Sequence, residues 1–256
     1  MKKLFLMLMV AVSMTTVTAQ SNWSTSDGAL LDGKNIIKVN LTSLSLRNIG
    51  LYGERIINNR FSAVLGVSFI PKGNIPYINS LNVLEQGVEG TINNIKINSL
   101  AVTPELRIYT GSGYGKGFYF APYFKYEQFG LSNLSVTFTD NDNVDREIIM
   151  DGNLKTYGGG LMIGYQWLIG RNKNFVIDWS MLGGHYGKSQ GNIHGYYAIG
   201  TMTAQQQQDV KDNIDETLND IPLIEHQTTV DSKNANVDIK GPWAFFRMGL
   251  SIGYRF

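Results

Sequence analysis

The 256-residue chain has no cysteine, so no disulfide can staple it and its mature start cannot carry a lipid on a cysteine. Long apolar runs are missing too: a membrane helix needs about 20 consecutive apolar residues, and the run Leu4–Val12 is far shorter. Helical membrane spans are excluded. Nor is there an excess of charge, since 22 Lys and Arg stand against 21 Asp and Glu for a net +1. That balance offers no electrostatic footprint for a nucleic-acid partner.

What the chain does have is 28 glycines, 12 Phe, 13 Tyr and 4 Trp. Glycine relieves crowding in curved sheets, and Trp and Tyr collect at membrane interfaces. The composition leans towards a membrane barrel, although a secreted β-sandwich shares much of it. Met1–Gln20 carries two lysines, the short apolar run and Val17-Thr18-Ala19, the layout of an export signal cleaved after Ala19. This divides the chain into a signal peptide (1–19), a polar periplasmic lead (20–34) and a β-barrel (35–256).

The last stretch, Trp243–Phe256, organises the rest. Phe246, Met248, Leu250, Ile252, Tyr254 and Phe256 alternate with Arg247, Gly249, Ser251, Gly253 and Arg255. Strict period-two alternation of this kind suits a wall with lipid outside and a polar lumen inside. Phe256 then reads as the terminal aromatic that serves as assembly signal for the barrel-assembly machinery.

Further wall strands follow from the same alternation. They run over about 35–46, 49–57, 61–69, 100–109, 118–129, 157–167 and 175–181, which makes eight with the last. Bulges are expected at Pro104 and Pro122, because proline removes a ladder donor. Turns after the second, fourth and sixth strands are short, whereas the connections 71–94, 131–153 and 189–240 are long. Short periplasmic turns and long external loops predict an all-β, eight-stranded antiparallel transmembrane barrel. Ten strands would result if the longest loop hid a hairpin. Short helices are expected around Ile78–Val88 and Thr203–Leu218, the latter with a stripe of Val210, Ile214, Leu218 and Ile221 that reads as a lid.

By parity the lumen receives Lys38, Arg107, Lys125 and Arg247 against Glu54, Glu105, Glu127 and Asp178, with Arg255 at the periplasmic rim. Eight strands enclose just enough room for side chains. The set therefore reads as a salt-bridged plug, and a solute path would need an interior free of such bulky pairs. His185, Ser189 and His194 lie near the outer rim and His226 in the last loop, but spacing alone does not make a catalytic set. His185 also falls on the lipid-facing parity unless Gly183-Gly184 bulges the strand. Asp140, Asp142, Asp145 and Glu147 form an acidic loop without the glycine and final glutamate of a calcium loop. No cofactor, metal site or catalytic residue is assigned.

The segments 35–71, 100–129, GGGLMIGYQWLIG (158–170) and FVIDWSMLGGHYGK (175–188) resemble a Bacteroidetes-type family of small outer-membrane β-barrels filed as a domain of unknown function. More distantly, the plan is similar to the OmpA, OmpX and OmpW kind of barrel. The resemblance implies fold and outer-membrane location and transfers no substrate or catalytic residue. The expectation is a monomeric barrel of structural or surface-interaction type. Its loops 71–94, 131–153 and 189–240 would contact lipopolysaccharide or an external protein. The alternative is a narrow or lateral conduit for small apolar solutes, and a lipid-modifying enzyme ranks below both.

Overall fold

Alternating side chains commit most of the chain to one antiparallel sheet, and the sheet closes on itself. The computed structural model describes residues 33–76, 95–111, 113–139, 145–197, 200–219 and 223–256. The export signal, the Ile78–Val88 helix, Ile221 and residues 140–144, with Asp140 and Asp142 of the acidic set, lie outside the described residues. Nine strands are present among the described residues: β1 (Asn35–Asn40), β2 (Ile49–Ile56), β3 (Phe61–Asn74), β4 (Lys96–Tyr109), β5 (Gly117–Thr139), β6 (Asp145–Ile169), β7 (Phe175–Tyr197), β8 (Glu225–Val230) and β9 (Asn234–Arg255). Eight of them form the ring β1-β2-β3-β4-β5-β6-β7-β9, closed by β9 on β1, while β8 pairs only with β9. The longest connection thus holds a hairpin, yet its first strand stays out of the wall.

Each wall strand turns an apolar residue outward. Ile37, Leu51, Leu65, Leu106, Phe120, Leu161, Trp179 and Leu250, one from each strand of the ring, are all exposed. Tyr126, Tyr157 and Tyr186 mark one edge of this apolar belt, and Phe61, Phe175, Tyr254 and Phe256 the other. An apolar band flanked by aromatic girdles is the layout of a transmembrane barrel.

Several sequence expectations need correction. β1 does not run to residue 46: Asn40 caps a one-turn helix, α1 (Leu41–Leu44), by accepting from the Ser43 backbone N–H at 3.0 Å. An N-cap of this kind diverts the chain because it satisfies a helical donor that a strand would leave free. The connections 131–153 and 189–240 are not loops over most of their length. β5 and β6 stay paired out to Thr139 and Asp145, and β7 pairs β9 from Ser189 to Tyr196. The wall therefore continues as an extension beyond the apolar belt.

The prolines do not bulge. β4 and β5 lose pairs near Pro104 and Pro122 but keep one register from Lys96–Ser132 to Tyr109–Tyr119. Proline removes a donor without adding a residue, so pairing lapses while alignment survives. The bulge on β7 lies instead between Ser180 and Gly183, where it has one more residue than both neighbours. One extra residue reverses every later side chain. Met181 is thus not on the outer face with Trp179, Leu182 replaces it there, and His185 turns inward.

The second helix, α2 (Ala204–Asn219), lies over the inward face of the extension. Val210 is buried with Ile148, Met150, Tyr197, Met202, Ala235 and Val237, and Ile214 and Leu218 pack against the same group. Spacing of four along α2 puts these three on one side, as its stripe requires.

Candidate functional site

Inside the ring the side chains fill the lumen in layers. At the end holding the short turns, Ile36, Ile56, Leu168 and Val176 form an apolar floor against Tyr114. The glycine-rich turn between β4 and β5 seals it. Gly115 has φ +79°, and a Cβ there would meet Ile56 Cδ1 at 2.9 Å. That close approach lets the Gly115 carbonyl accept from Gln166 Nε2 at 2.7 Å, tying the turn to the layer above.

That layer is ionic. Lys38 Nζ donates to Glu54 Oε2 at 2.7 Å, Asp178 Oδ2 at 2.6 Å and Gln166 Oε1 at 2.9 Å, which uses all three ammonium hydrogens. Arg107 Nη1 donates to Asp178 Oδ2 at 2.7 Å and Gln166 Oε1 at 3.2 Å, while Nε and Nη2 reach Glu105 Oε2 at 3.4 Å. Ser62 Oγ and Tyr109 OH complete Glu54 Oε1 at 2.5 and 2.7 Å, and Tyr119 OH donates to Asp178 Oδ1 at 2.8 Å. The Arg107 guanidinium also lies 4.2 Å from the centre of the Tyr119 ring. A buried charge is tolerable when it is paired and its remaining hydrogen-bonding capacity is met. Lys38, Glu54 and Asp178 meet both conditions, and Arg107 engages four of its five N–H groups.

Arg247 extends the network upward through an ion pair with Glu105 Oε1 at 2.5 Å, with its guanidinium between the Tyr52 and Tyr123 rings. Lys125 pairs with Glu127 at 2.5 Å, and Lys125 keeps partial access to solvent. All eight lumen residues singled out in the sequence thus face inward, in three groups. Lys38, Glu54, Arg107 and Asp178 form one cluster, Glu105 links Arg247 to it, and Lys125–Glu127 stands apart. Phe256 is exposed on the outer face, and its backbone exchanges hydrogen bonds with Asn35 at 2.9 and 3.0 Å.

Sequence reasoning overlooked Gln166, Ser62 and the floor. Gln166 is the only polar residue among the inward positions of the lower part of β6, so its parity was the available signal. The upper lumen was overlooked as well. There Tyr123 OH and His185 Nδ1 are 3.1 Å apart, and the His185 and Phe129 rings lie 6.0 and 5.4 Å from Trp243. His185 Nε2 and Trp243 Nε1 are buried without a hydrogen-bond partner among the described residues.

The other histidines do not join His185. His194 faces outward with Nδ1 2.7 Å from Asn236 Oδ1, and His226 on β8 pairs with Asp215 of α2 at 3.2 Å. Ser189 donates to the Gly241 carbonyl at 3.1 Å. Beside this layer the wall is incomplete among the described residues. β1 pairs β9 only over Ser251–Arg255 and β8 pairs it only over Ala235–Lys240, so the stretch between has no strand on that side. Its lower end is held where the Leu250 N–H donates to Thr42 Oγ1 of α1 at 3.2 Å.

The profile of a family described as "Protein of unknown function (DUF3575)" matches residues 5–192. No curated protein matches the chain. Among solved structures, the chain is similar to Acinetobacter baumannii CarO2 at 14% identity and a TM-score of 0.32, covering 82% of this chain and 98% of that one. The barrel itself is established by the strand order, in which each of the eight wall strands pairs with two neighbours and β9 closes on β1.

Proposed function

The chain belongs to the DUF3575 family of proteins of unknown function, and from that premise we propose a plugged outer-membrane barrel whose extension presents a surface to the outside. Its role is structural or surface interaction, with contacts to lipopolysaccharide or to an external protein. Export through a signal cleaved after Ala19, insertion by the barrel-assembly machinery and a monomeric state belong to the same proposal. One observation carries it: every wall strand contributes to the polar layer that fills the lumen. Lys38, Glu54, Ser62, Arg107, Tyr119, Gln166 and Asp178 come from β1 to β7, and Arg247 joins from β9. Three cations (Lys38, Arg107, Arg247) meet three carboxylates (Glu54, Glu105, Asp178), leaving no net charge to draw an ion through. In planar bilayers the purified protein should give no stable conductance step. A reproducible open channel in the unmodified protein would sink the plugged reading.

A second reading, a lateral conduit for small apolar solutes, is favoured by the unpaired stretch of β9 beside the aromatic upper lumen. The apolar stripe of α2 is spent on the extension, so the route would run at the seam rather than along the helix. A disulfide between Thr42→Cys and Gly249→Cys distinguishes the two, since the chain has no other cysteine. Solute uptake stays unchanged when this seam is locked on the first reading and stops on the second. No catalytic role is proposed, because His185 and His194 lie on opposite faces of β7. Replacing both with alanine should leave the lipid A mass spectrum as it was.

A further inference from the structure

On the outer face of β6, β7 and β9, hydrocarbon gives way to charge within a few rows. The register aligns Leu161, Gly184 and Phe246, then Gly159, Tyr186 and Ala244, then Tyr157, Lys188 and Pro242, then Lys155, Gln190 and Lys240. The first two rows enclose an open groove of about 430 Å³, floored by Gly159, Gly184 and Ala244. Leu161, Tyr186 and Phe246 stand exposed as its rims.

The next two rows bring three lysines together at the edge of the belt. None of Lys155, Lys188 and Lys240 ion-pairs with a described residue. Three carboxylates share this face, and Asp151, in the row of His194 and Asn236, is the outermost. Glu225 stands opposite Lys240 across β8, and Asp238, one row further out, accepts from Asn192 Nδ2 at 2.9 Å. Only Glu225 stands in a lysine row, so the two rows at the edge of the belt hold three lysines against one carboxylate, and that excess positive charge faces the depth at which a leaflet carries its headgroups.

Resting on the outer-membrane reading above, we propose that this strip binds one phosphorylated acyl lipid of the outer leaflet. An acyl chain lies in the groove, and the phosphate oxygens accept charge-assisted hydrogen bonds from Lys155, Lys188 and Lys240. Groove and lysines are continuous along the same three strands, so one molecule spans both. Without the phosphate, the lysines add nothing and the groove holds a chain as any lipid surface does.

The test is native mass spectrometry of the detergent-solubilised full chain, with bis-phosphorylated lipid A as probe and its dephosphorylated form as control. The expected result is a preference of roughly tenfold or more for the phosphorylated form, abolished in the combined Lys155→Gln, Lys188→Gln, Lys240→Gln variant. Gly184→Leu should weaken binding of both forms. A Cβ at Gly184 meets only Phe246 Cδ1, at 3.9 Å, so the wall accepts it. Equal binding of the two lipids, or a triple variant that binds as before, overturns the proposal. Gel mobility with and without boiling is read for every sample. A heat shift in the unmodified protein keeps the barrel reading standing whatever the lipid result, and its absence there removes the barrel reading first.

Discussion

Strand β7 is two different strands joined end to end. Below Tyr186 it turns Asp178 and Ser180 inward and Trp179 and Leu182 outward; above, Ile193 and Tyr197 face inward and Lys188, Gln190 and Asn192 outward. β6 and β9 change over at the same height. Polarity thus inverts on both faces at once, and the cause is a change of solvent. Within the belt, the outside must match hydrocarbon and the enclosed inside can hold charge if the charges pair. Beyond it, the outside meets water, and the inward face of an open sheet must be covered by apolar contacts, which α2 supplies.

The sharpest way to break this contrast is to remove one member of the buried ion cluster. Asp178→Ala strips Lys38 and Arg107 of their shortest acceptor and should destabilise the barrel by roughly 3–5 kcal/mol. The heat-shift transition should move to clearly lower temperature, and an unmoved transition would refute the structural role of the cluster. Moving outward, Leu161→Lys in the belt should cost about 2–4 kcal/mol, whereas Asn192→Lys, on the same face beyond the belt, should stay within about 0.5 kcal/mol. Equal costs would mean that no change of solvent lies between them.

In the extension, Val210→Asp should lose about 1.5–3 kcal/mol of apolar burial and expose 200–230 to limited proteolysis. The heat shift of the barrel should stay in place, because among the described residues α2 packs on the extension. The smallest effect concerns the β8–β9 turn. Asp231 Oδ1 accepts from the Lys233 and Asn234 backbone N–H groups at 2.7 and 2.8 Å. The Lys233 N–H first, then Asn234, holds its carboxyl below the ordinary range. A lowered folded value means the turn is supported above the ordinary carboxylate range and loses that support as pH falls through the folded one. The protection of the turn amides against exchange, taken relative to their intrinsic rates, should therefore fall on acidification, and Asp231→Ala should abolish that fall.

The same inversion explains what the sequence made legible. Wall segments stood out because lipid demands an apolar residue at every second position, as at Leu161, Ile163 and Tyr165. Outside the belt that demand ends. Asp151, Asn153 and Lys155 on the outer face therefore resembled a polar loop, although they continue the same strand. α2 was readable because Val210, Ile214 and Leu218 keep helical spacing. The charged lumen residues followed from parity, but which ones meet was set by shear between strands, which no single segment encodes. The inward turn of His185 hung on a bulge that Gly183-Gly184 hinted at without fixing: the extra residue falls between Ser180 and Gly183, where Met181 and Leu182 suit either face.

Ring closure depends on few pairs. Five register pairs join β1 to β9, from Ile36–Arg255 to Asn40–Ser251, and they bring together residues more than two hundred positions apart. β6 and β7, by contrast, are neighbours in sequence and paired along nearly their whole length. Loop-closure entropy makes so distant a contact slow to form, and so short a ladder gives little to hold it. In kinetic terms the β1–β9 seam is the last joint to set. β1 is held by five register pairs on each side, and its side towards β9 is the one that must be found across the whole chain.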